Sequence, residues 1–228
     1  MAGRVAYYGG IVKDGLVLDL DAAKKESYPG SGTRWNDIAG GVITGSLING
    51  PTFNSNNGGS IVFDGADDYV NLGTTSFGIT RDFTISFWMD MTQSGSMQIF
   101  TKGYNVPYGI YIAKQPSNVL TCQLNLTSGY GETNTITTNY SGIKNWVVIR
   151  NNTSLTWYVN GSQDSTSTLS SFDISQSLSK QWRIGSNFDI AFTPFNGNIY
   201  TTQLYNRALS ATEVLQNYNA TKTRFGLI

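Results

Sequence analysis

Hydrophobic and polar residues alternate along much of this chain. In the clearest case, Phe83, Ile85 and Phe87 alternate with Thr84 and Ser86. A period of two is the pattern of a β-strand with one buried face. Similar runs, separated by turn residues, predict further strands at residues 16–20, 42–48, 60–63, 69–72, 97–102, 108–113, 119–126, 133–138, 145–150, 154–159, 182–185 and 199–205. Many short strands at this spacing predict an all-β sandwich or barrel.

A different pattern near the end of the chain predicts one short helix. Ser210 and Glu213 have the spacing of a capping box, in which each side chain bonds to the other residue's backbone N–H. Val214, Leu215 and Tyr218 follow at helical spacing, so we expect them to form the buried face of this helix.

The length of 228 residues favours one all-β domain with a substantial core. We assign residues 16–220 to this domain. Residues 1–15 are a separate N-terminal arm, because four glycines interrupt them, and residues 221–228 are a C-terminal tail.

The arm is rich in large apolar residues for a free terminus, notably Tyr7, Tyr8, Ile11 and Val12. Termini are poorly ordered unless something ties them down. Two interpretations remain open: the arm folds along the surface of its own domain, or it is an anchor that docks on a partner protein.

Charge and composition exclude several classes of protein. Lys plus Arg and Asp plus Glu are both 15, so a zero net charge gives no reason to expect nucleic-acid binding. No apolar run reaches the ~18 residues of a membrane span, so we expect no membrane insertion. Residues 1–10 lack the apolar stretch of a secretion signal, and the single Cys122 excludes an intrachain disulfide.

The chain lacks most of the groups that catalysis uses. It has no histidine, which rules out Ser-His-Asp and Cys-His triads. Glycosidases need two carboxyl groups about 5–9.5 Å apart, whereas Glu26, Glu132 and Glu213 are far apart in sequence. We therefore expect this protein not to be an enzyme.

No cofactor is clearly indicated, but the sequence leaves room for calcium. Calcium takes six to eight oxygen ligands, from carboxylates, carbonyls and amide side chains. The acidic residues in or beside predicted loops are Asp19, Asp21, Asp37, Asp64, Asp67 and Asp68, and all of them except Asp67 are candidate ligands. Asp is also an ordinary turn residue, so a purely structural role is the alternative.

Sugar binding would use exposed aromatic rings beside amide or hydroxyl side chains. The loop-like candidates are Tyr104, Tyr108, Tyr130 and Tyr140, which lie among Asn, Gly and Thr residues. The alternative is that these rings shield the sheet edges and the ends of the sandwich.

Four stretches, in this order, resemble the laminin-G-like, concanavalin A-like jelly-roll family. They are SIVFDGADDYV at 60–70, FTISFW at 83–88, WYVNG at 157–161 and YNRALS at 205–210. The resemblance covers residues 16–220 and implies a jelly-roll β-sandwich with one short C-terminal helix. In such a fold we interpret Trp88, Trp146 and Trp157 as packing residues.

The arm that leads into GLVLDLDA at 15–22, the Asn/Ser/Thr-rich composition and YNRALS at 205–210 also resemble virion surface proteins of tailed, particularly marine, bacteriophages. This resemblance implies a non-catalytic virion component, a capsid decoration or fibre subunit, assembled in the host cytoplasm and exposed on the particle. Its partners would be other virion proteins, further copies of itself and a cell-surface glycan. The alternative is a carbohydrate-binding, lectin-like module for host attachment, and a glycoside hydrolase is a third hypothesis.

Overall fold

A computed structural model describes residues 9–41, 43–91, 95–103, 108–117, 119–127, 130–137, 141–171, 173–174, 180–186 and 193–228. The described residues form sixteen strands, one α-helix and two short 3₁₀ turns. The strands are β1 (Leu16–Asp21), β2 (Arg34–Asn36), β3 (Thr44–Ile48), β4 (Thr52–Asn54), β5 (Ser60–Asp64), β6 (Tyr69–Asn71), β7 (Phe83–Met91), β8 (Met97–Lys102), β9 (Ile110–Lys114), β10 (Leu120–Thr127), β11 (Tyr130–Thr135), β12 (Lys144–Asn151), β13 (Ser154–Val159), β14 (Ser162–Thr168), β15 (Trp182–Ile184) and β16 (Asn196–Tyr205). The helix α1 is Ala211–Thr221, and the 3₁₀ turns are Asn56–Gly58 and Lys222–Phe225.

The strands form two antiparallel sheets that pack as a sandwich, which confirms the predicted fold class. The first sheet has the order β14-β13-β12-β7-β16-β5-β4, with β1 also paired to β16. The second has the order β11-β10-β9-β8-β15-β6-β3-β2. The long strand β16 pairs with β7 along one edge; along the other edge its first half pairs with β5 and its second half with β1.

The core between the sheets comes from the inward-facing residues of both. Phe83, Ile85 and Phe87 are fully buried there, as the alternating pattern predicts. Trp146 and Trp157 are also fully buried, which confirms that they are packing residues. Cys122 lies in the same core, and burial raises the pKa of its thiol.

The structure contains two very short strands that the sequence did not predict, one at an edge of each sheet. The three-residue strands β2 and β4 are too short to show a period of two, so the sequence did not predict them. An Asn-Gly pair between two apolar runs is typical of a hairpin turn, and Asn160 and Gly161 form the turn between β13 and β14, with φ values of 49° and 79°. These positive values are those of a type I′ hairpin.

The helix α1 covers the outer face of the first sheet. A second apolar cluster forms beneath it, in which Val147, Ile149 and Tyr158 of the sheet meet Leu209 and Val214. Burial of this strip stabilises the docked helix, since exposed apolar area costs about 25 cal/mol per Å². No described helix is long and apolar enough to cross a membrane.

The capping box that starts α1 is present. The backbone N–H of Glu213 donates to Ser210 Oγ at 3.3 Å, and the Ser210 N–H donates to the Glu213 carboxylate at 2.8 Å. The predicted buried face is correct for Val214 and wrong for Leu215, which is 41% exposed. Leu215 instead lies over the hairpin turn at Gly161. A Cβ atom built on that glycine would be 3.1 Å from Leu215 Cδ1.

Trp88 holds the C-terminal end of α1 and the 3₁₀ turn that follows it. Its ring stacks on Phe225, with centroids 4.1 Å apart, and on Tyr218, at 5.8 Å. Its Nε1–H donates to Thr221 Oγ1 at 2.9 Å. Trp88 is therefore a packing residue, but it lies outside the sandwich and joins the sheet to residues that the sequence assigned to a tail.

The described part of the N-terminal arm folds along its own domain. The Val12 N–H donates to Asn217 Oδ1 at 2.8 Å, and the Tyr205 hydroxyl donates to the Val12 carbonyl at 3.1 Å. This favours the first interpretation for residues 9–15. Tyr7 and Tyr8 lie outside the described residues, and docking of a partner on Ile11 and Val12 stays a prediction.

The stack on Trp88 predicts that the last turn contributes to stability. Phe225→Ala removes a half-buried ring with two aromatic neighbours, so the free energy of unfolding should fall by about 2 kcal/mol. The measurement is chemical denaturation, with Leu215→Ala as the control at an exposed position of α1. Equal stability of the Phe225→Ala variant and the wild type would contradict this role.

Candidate functional site

The predicted acidic residues fall into two groups, and the first lies around β1. Asp37 accepts three backbone N–H groups, from Asp19 at 2.7 Å, Ala39 at 2.8 Å and Gly41 at 3.1 Å. These bonds hold the loop after β2 against β1. The Asp37 carboxylate therefore has a structural role in the fold.

Asp19 lies on the outer face of β1 and is almost completely buried. Its Oδ1 accepts a hydrogen bond from Gln203 Nε2 at 3.1 Å, and Lys13 Nζ lies 3.6 Å from its Oδ2. Burial raises the pKa of the Asp19 carboxyl group, because the charged form loses its hydration.

Asp21 is the next outward-facing residue of β1, and it binds the end of the chain. Its carboxylate contacts Arg224 Nη1 at 2.7 Å and lies 3.9 Å from Lys24 Nζ. Arg224 also donates to the carbonyls of Asn57 and Gly59, both at 2.6 Å. Cationic side chains and backbone N–H groups thus already surround the carboxylates of this first group.

The second acidic group is the turn between β5 and β6. One carboxylate oxygen from each of Asp64, Asp67 and Asp68 lies within 4.8 Å of the others. Asp68 is buried and accepts the Asp64 N–H at 3.0 Å, while Asp64 accepts the Ala66 N–H at 2.7 Å. The sequence placed all three residues in or beside a loop and named Asp64 and Asp68 as candidate ligands, and the structure brings Asp67 into the same group. This turn places hard oxygen donors together, as a calcium or magnesium ion requires.

The structure places one of the predicted sugar-binding tyrosines in full. Tyr108 is half-buried and packs against the core of the sandwich. Tyr130 is the first residue of β11. Tyr104 and Tyr140 lie outside the described residues, so their part in sugar binding stays a prediction.

Two grooves lie on the outer face of the first sheet, one at each end of α1. The first has a volume of about 330 Å³, and its walls come from the arm and the C-terminal segment: Gly10, Ile11, Lys13, Ala220, Thr221, Thr223 and Arg224. Its floor includes Thr201, Gln203 and Asp21, and Lys13 and Lys24 stand beside it. The two ends of the described chain therefore meet at one charged groove.

The second groove lies at the other end of the helix and has a volume of about 460 Å³. The described residues that line it are all uncharged: Ile149, Asn151, Asn152, Thr153, Ser154, Thr156, Tyr158, Leu209, Ser210 and Ala211. Hydroxyl and amide groups can both donate and accept hydrogen bonds, and the apolar residues give a wall for a ring to rest on. We call this the neutral groove.

Sequence reasoning missed the neutral groove. Asn, Ser and Thr are frequent throughout this chain, so those at 151–156 carried no signal of their own. The one usable signal was alternation in β13, which places Thr156 and Tyr158 on the face opposite the buried Leu155 and Trp157. Only the docked helix, about fifty residues later, turns this face into a groove.

An ion pair fixes the start of α1 beside the neutral groove. Arg207 contacts the Glu213 carboxylate at 2.6 and 3.0 Å, and it contacts Asp14 of the arm at 3.0 Å. The Arg207 guanidinium, with the Ser210 N–H and hydroxyl, lowers the pKa of Glu213 to about 2. The positive end of the helix is therefore already occupied by a carboxylate of the chain itself.

Comparison with known proteins identifies one matching family model. A model described as the Concanavalin A-like lectin/glucanases superfamily matches residues 64–215. No curated protein matches the sequence.

Solved structures with the same fold include several toxin binding domains. One is a structure of botulinum neurotoxin type C, a toxin whose cell entry is described as dependent upon interaction with two ganglioside molecules. It has a TM-score of 0.70 at 15% identity, and the alignment covers 92% of this chain and 52% of the toxin chain. The binding domain of botulinum neurotoxin DC in complex with rat synaptotagmin II has a TM-score of 0.68 at 15% identity, with 92% and 52% aligned. The binding domain of Paraclostridial Mosquitocidal Protein 1 has a TM-score of 0.68 at 16% identity, with 91% and 52% aligned. The chain thus spans about half the length of these structures, and at such identities the likeness is one of fold.

The low pKa of Glu213 predicts an acid-dependent loss of stability. A folded-state value of about 2, below the ordinary value of 4.5, contributes stability that is complete above pH 4.5 and is lost as the pH falls towards 2. Because the ion pair is about a quarter exposed, we expect a discounted loss of about 1–2 kcal/mol. The Glu213→Gln variant should lack this component.

The measurement is the free energy of unfolding between pH 6 and pH 2.5 for both proteins. Glu26→Gln, at an exposed position, is the control and should follow the wild type. If the wild type and Glu213→Gln lose stability in parallel, the ion pair does not contribute as described.

Proposed function

Because the chain belongs to the Concanavalin A-like lectin/glucanases superfamily, we propose that it is a lectin-like module that binds carbohydrate. The observation that carries this proposal is the neutral groove. Its volume of about 460 Å³ lies in the range of ligand-binding clefts. It combines hydroxyl and amide side chains with an apolar wall, which is the surface that a sugar needs for its hydroxyl groups and its C–H face.

The fold of the similar solved structures supports the proposal of carbohydrate binding. One similar structure is of a toxin described as dependent on two gangliosides, and another is a toxin binding domain in complex with SialylT. A sandwich of this kind is thus compatible with glycan recognition, although fold alone does not assign function.

We propose binding without catalysis. The Glu213 carboxylate is engaged with Arg207, and Glu132 accepts hydrogen bonds from the N–H and hydroxyl of Ser170 at 2.5 and 2.7 Å. Each of these two carboxylates is thus already held by hydrogen bonds within the fold. A glycosidase needs two carboxyl groups facing each other across one bond.

A glycan array tests the proposed function. We expect saturable binding of a subset of glycans by the wild-type protein, and loss of that binding in Ala211→Trp, because the new ring fills the neutral groove from its exposed edge. The matched control is Ala220→Trp, which fills the charged groove instead and should bind as the wild type does. A flat array for the wild type would reject the proposal.

The glycan array also tests whether calcium is needed for binding. We propose that the turn of Asp64, Asp67 and Asp68 holds a calcium ion that supports binding, since these carboxylates converge within 4.8 Å. Binding should then weaken in EGTA and return with added calcium. Equal binding in EGTA and in calcium would separate carbohydrate recognition from the metal.

A virion component is the second candidate function, following the sequence resemblance. The structural feature that favours it is that residues 10–13 and 220–224 lie side by side, so both segments could meet one partner surface while the loops at the far side stay outward. In this setting the protein would be a capsid decoration or fibre subunit at the virion surface.

This second candidate predicts that the protein occurs in purified phage particles at many copies per particle. Mass spectrometry of the particles measures this. The Ile11→Arg variant should incorporate poorly, because it places a charge on the proposed docking side, whereas Leu215→Arg on the exposed face of α1 should incorporate normally. Absence of the wild-type chain from particles would reject this candidate.

A further inference from the structure

We propose that the neutral groove selects uncharged saccharides over acidic ones, and that the Tyr158 hydroxyl is the group that positions the sugar. This inference rests on the carbohydrate-binding function proposed above and names the class of ligand for the same site. Four features of the groove carry it: the phenol of Tyr158, free donors at the helix start, a row of hydroxyl groups and the position of the nearby charged groups.

Tyr158 is 8% exposed and lines the groove. Its ring packs in the apolar cluster beneath α1, so the ring has little freedom to turn away. The hydroxyl group has no hydrogen-bond partner among the described residues, and it is not one of their buried unsatisfied atoms, so it is open to the groove that Tyr158 lines. A ligand oxygen in the groove would supply that partner.

The start of α1 provides two further donors. The first backbone N–H groups of a helix have no acceptor within it. At this helix the Glu213 N–H is satisfied by Ser210 Oγ, which leaves those of Ala211 and Thr212. Ala211 lies on the wall of the groove, so its N–H is available to a ligand hydroxyl oxygen.

A row of hydroxyl groups completes the floor. Ser154 and Thr156 both line the groove, and their oxygens are 3.3 Å apart. Thr166 of β14 extends the row, 2.8 Å from Thr156 and 3.2 Å from Ser154. Hydroxyl groups exchange donor and acceptor roles by rotation, so the row can match a sugar diol, which also offers both.

The surrounding charges disfavour an anion. A helix start attracts anions, but at α1 that position is taken by the Glu213 carboxylate, which accepts the Ser210 N–H at 2.8 Å. A second carboxylate, Asp82, accepts the N–H of the lining residue Asn152 at 2.6 Å. No described lining residue is cationic. The cations near the groove are already engaged: Arg207 contacts the Glu213 carboxylate at 2.6 and 3.0 Å, and Arg150 Nε donates to the Asn152 carbonyl at 3.2 Å. A carboxylate or sulfate on the ligand would therefore meet two carboxylates and no cation among the described lining residues, which leaves an uncharged saccharide as the matching ligand.

The experiment compares neutral and acidic probes on the same protein. Isothermal titration uses galacto-, gluco- and manno-oligosaccharides and matched oligosaccharides of galacturonic, glucuronic and mannuronic acid. We expect the wild type to bind at least one neutral probe at least tenfold more tightly than its uronic counterpart. Tyr158→Phe keeps the ring and removes one hydrogen bond, so its affinity for that neutral probe should fall about fivefold.

Two measurements separate ligand positioning from a structural role of Tyr158. Because the hydroxyl has no partner in the free protein, Tyr158→Phe should keep the thermal midpoint of the wild type, and a lowered midpoint would show a structural bond instead. The matched control is Tyr69→Phe, whose ring lies under the Arg183 guanidinium in the second sheet and should bind as the wild type does. Thr156→Val, which removes a floor hydroxyl, is a second variant with the same expected direction.

The outcomes distinguish this inference from the proposed function. Tighter binding of uronic probes that Ala211→Trp abolishes would overturn the selectivity and leave carbohydrate binding at this groove in place. Unchanged neutral-probe affinity in Tyr158→Phe would overturn the positioning role of its hydroxyl, whatever the result for Thr156→Val. Binding of no saccharide by the wild type would reject the proposed function, and this inference with it.

Discussion

The first sheet presents apolar side chains on both of its faces, and much of the structure follows from the need to cover the outer one. Inside lies the sandwich core; outside lie Val147, Ile149 and Trp88, which water solvates poorly. The helix, the last 3₁₀ turn and the arm together form the cover. Both grooves are the gaps at the two ends of that cover, so the position of the candidate site is a consequence of how the apolar strip is buried.

The sequence predicted best what is encoded locally. Alternation in β7 and the capping box of Ser210 and Glu213 involve residues a few positions apart, and both are present. Trp88 shows where such reasoning ends. Alternation places it opposite the core, and only the docking of Phe225, more than a hundred residues later, explains why an outward-facing ring is buried.

The candidate site shows the same limit. Acidic residues are few, so the turn of Asp64 and Asp68 could be found from sequence, and Asp67 completes it. The neutral groove joins β12, β13 and the start of α1, and its residue types occur everywhere in the chain. What distinguishes Tyr158 from the other tyrosines is its position beneath the helix, and no spacing in the sequence encodes that.

The pairing of β1 with β16 has a consequence for the order of events during folding. Leu18 lies opposite Leu204, so the first strand pairs with a strand nearly the whole length of the chain away. Such a pairing must close a very long loop before its hydrogen bonds can form. During synthesis β1 therefore waits without its partner until β16 has left the ribosome, and the cover that creates both grooves can assemble only after that.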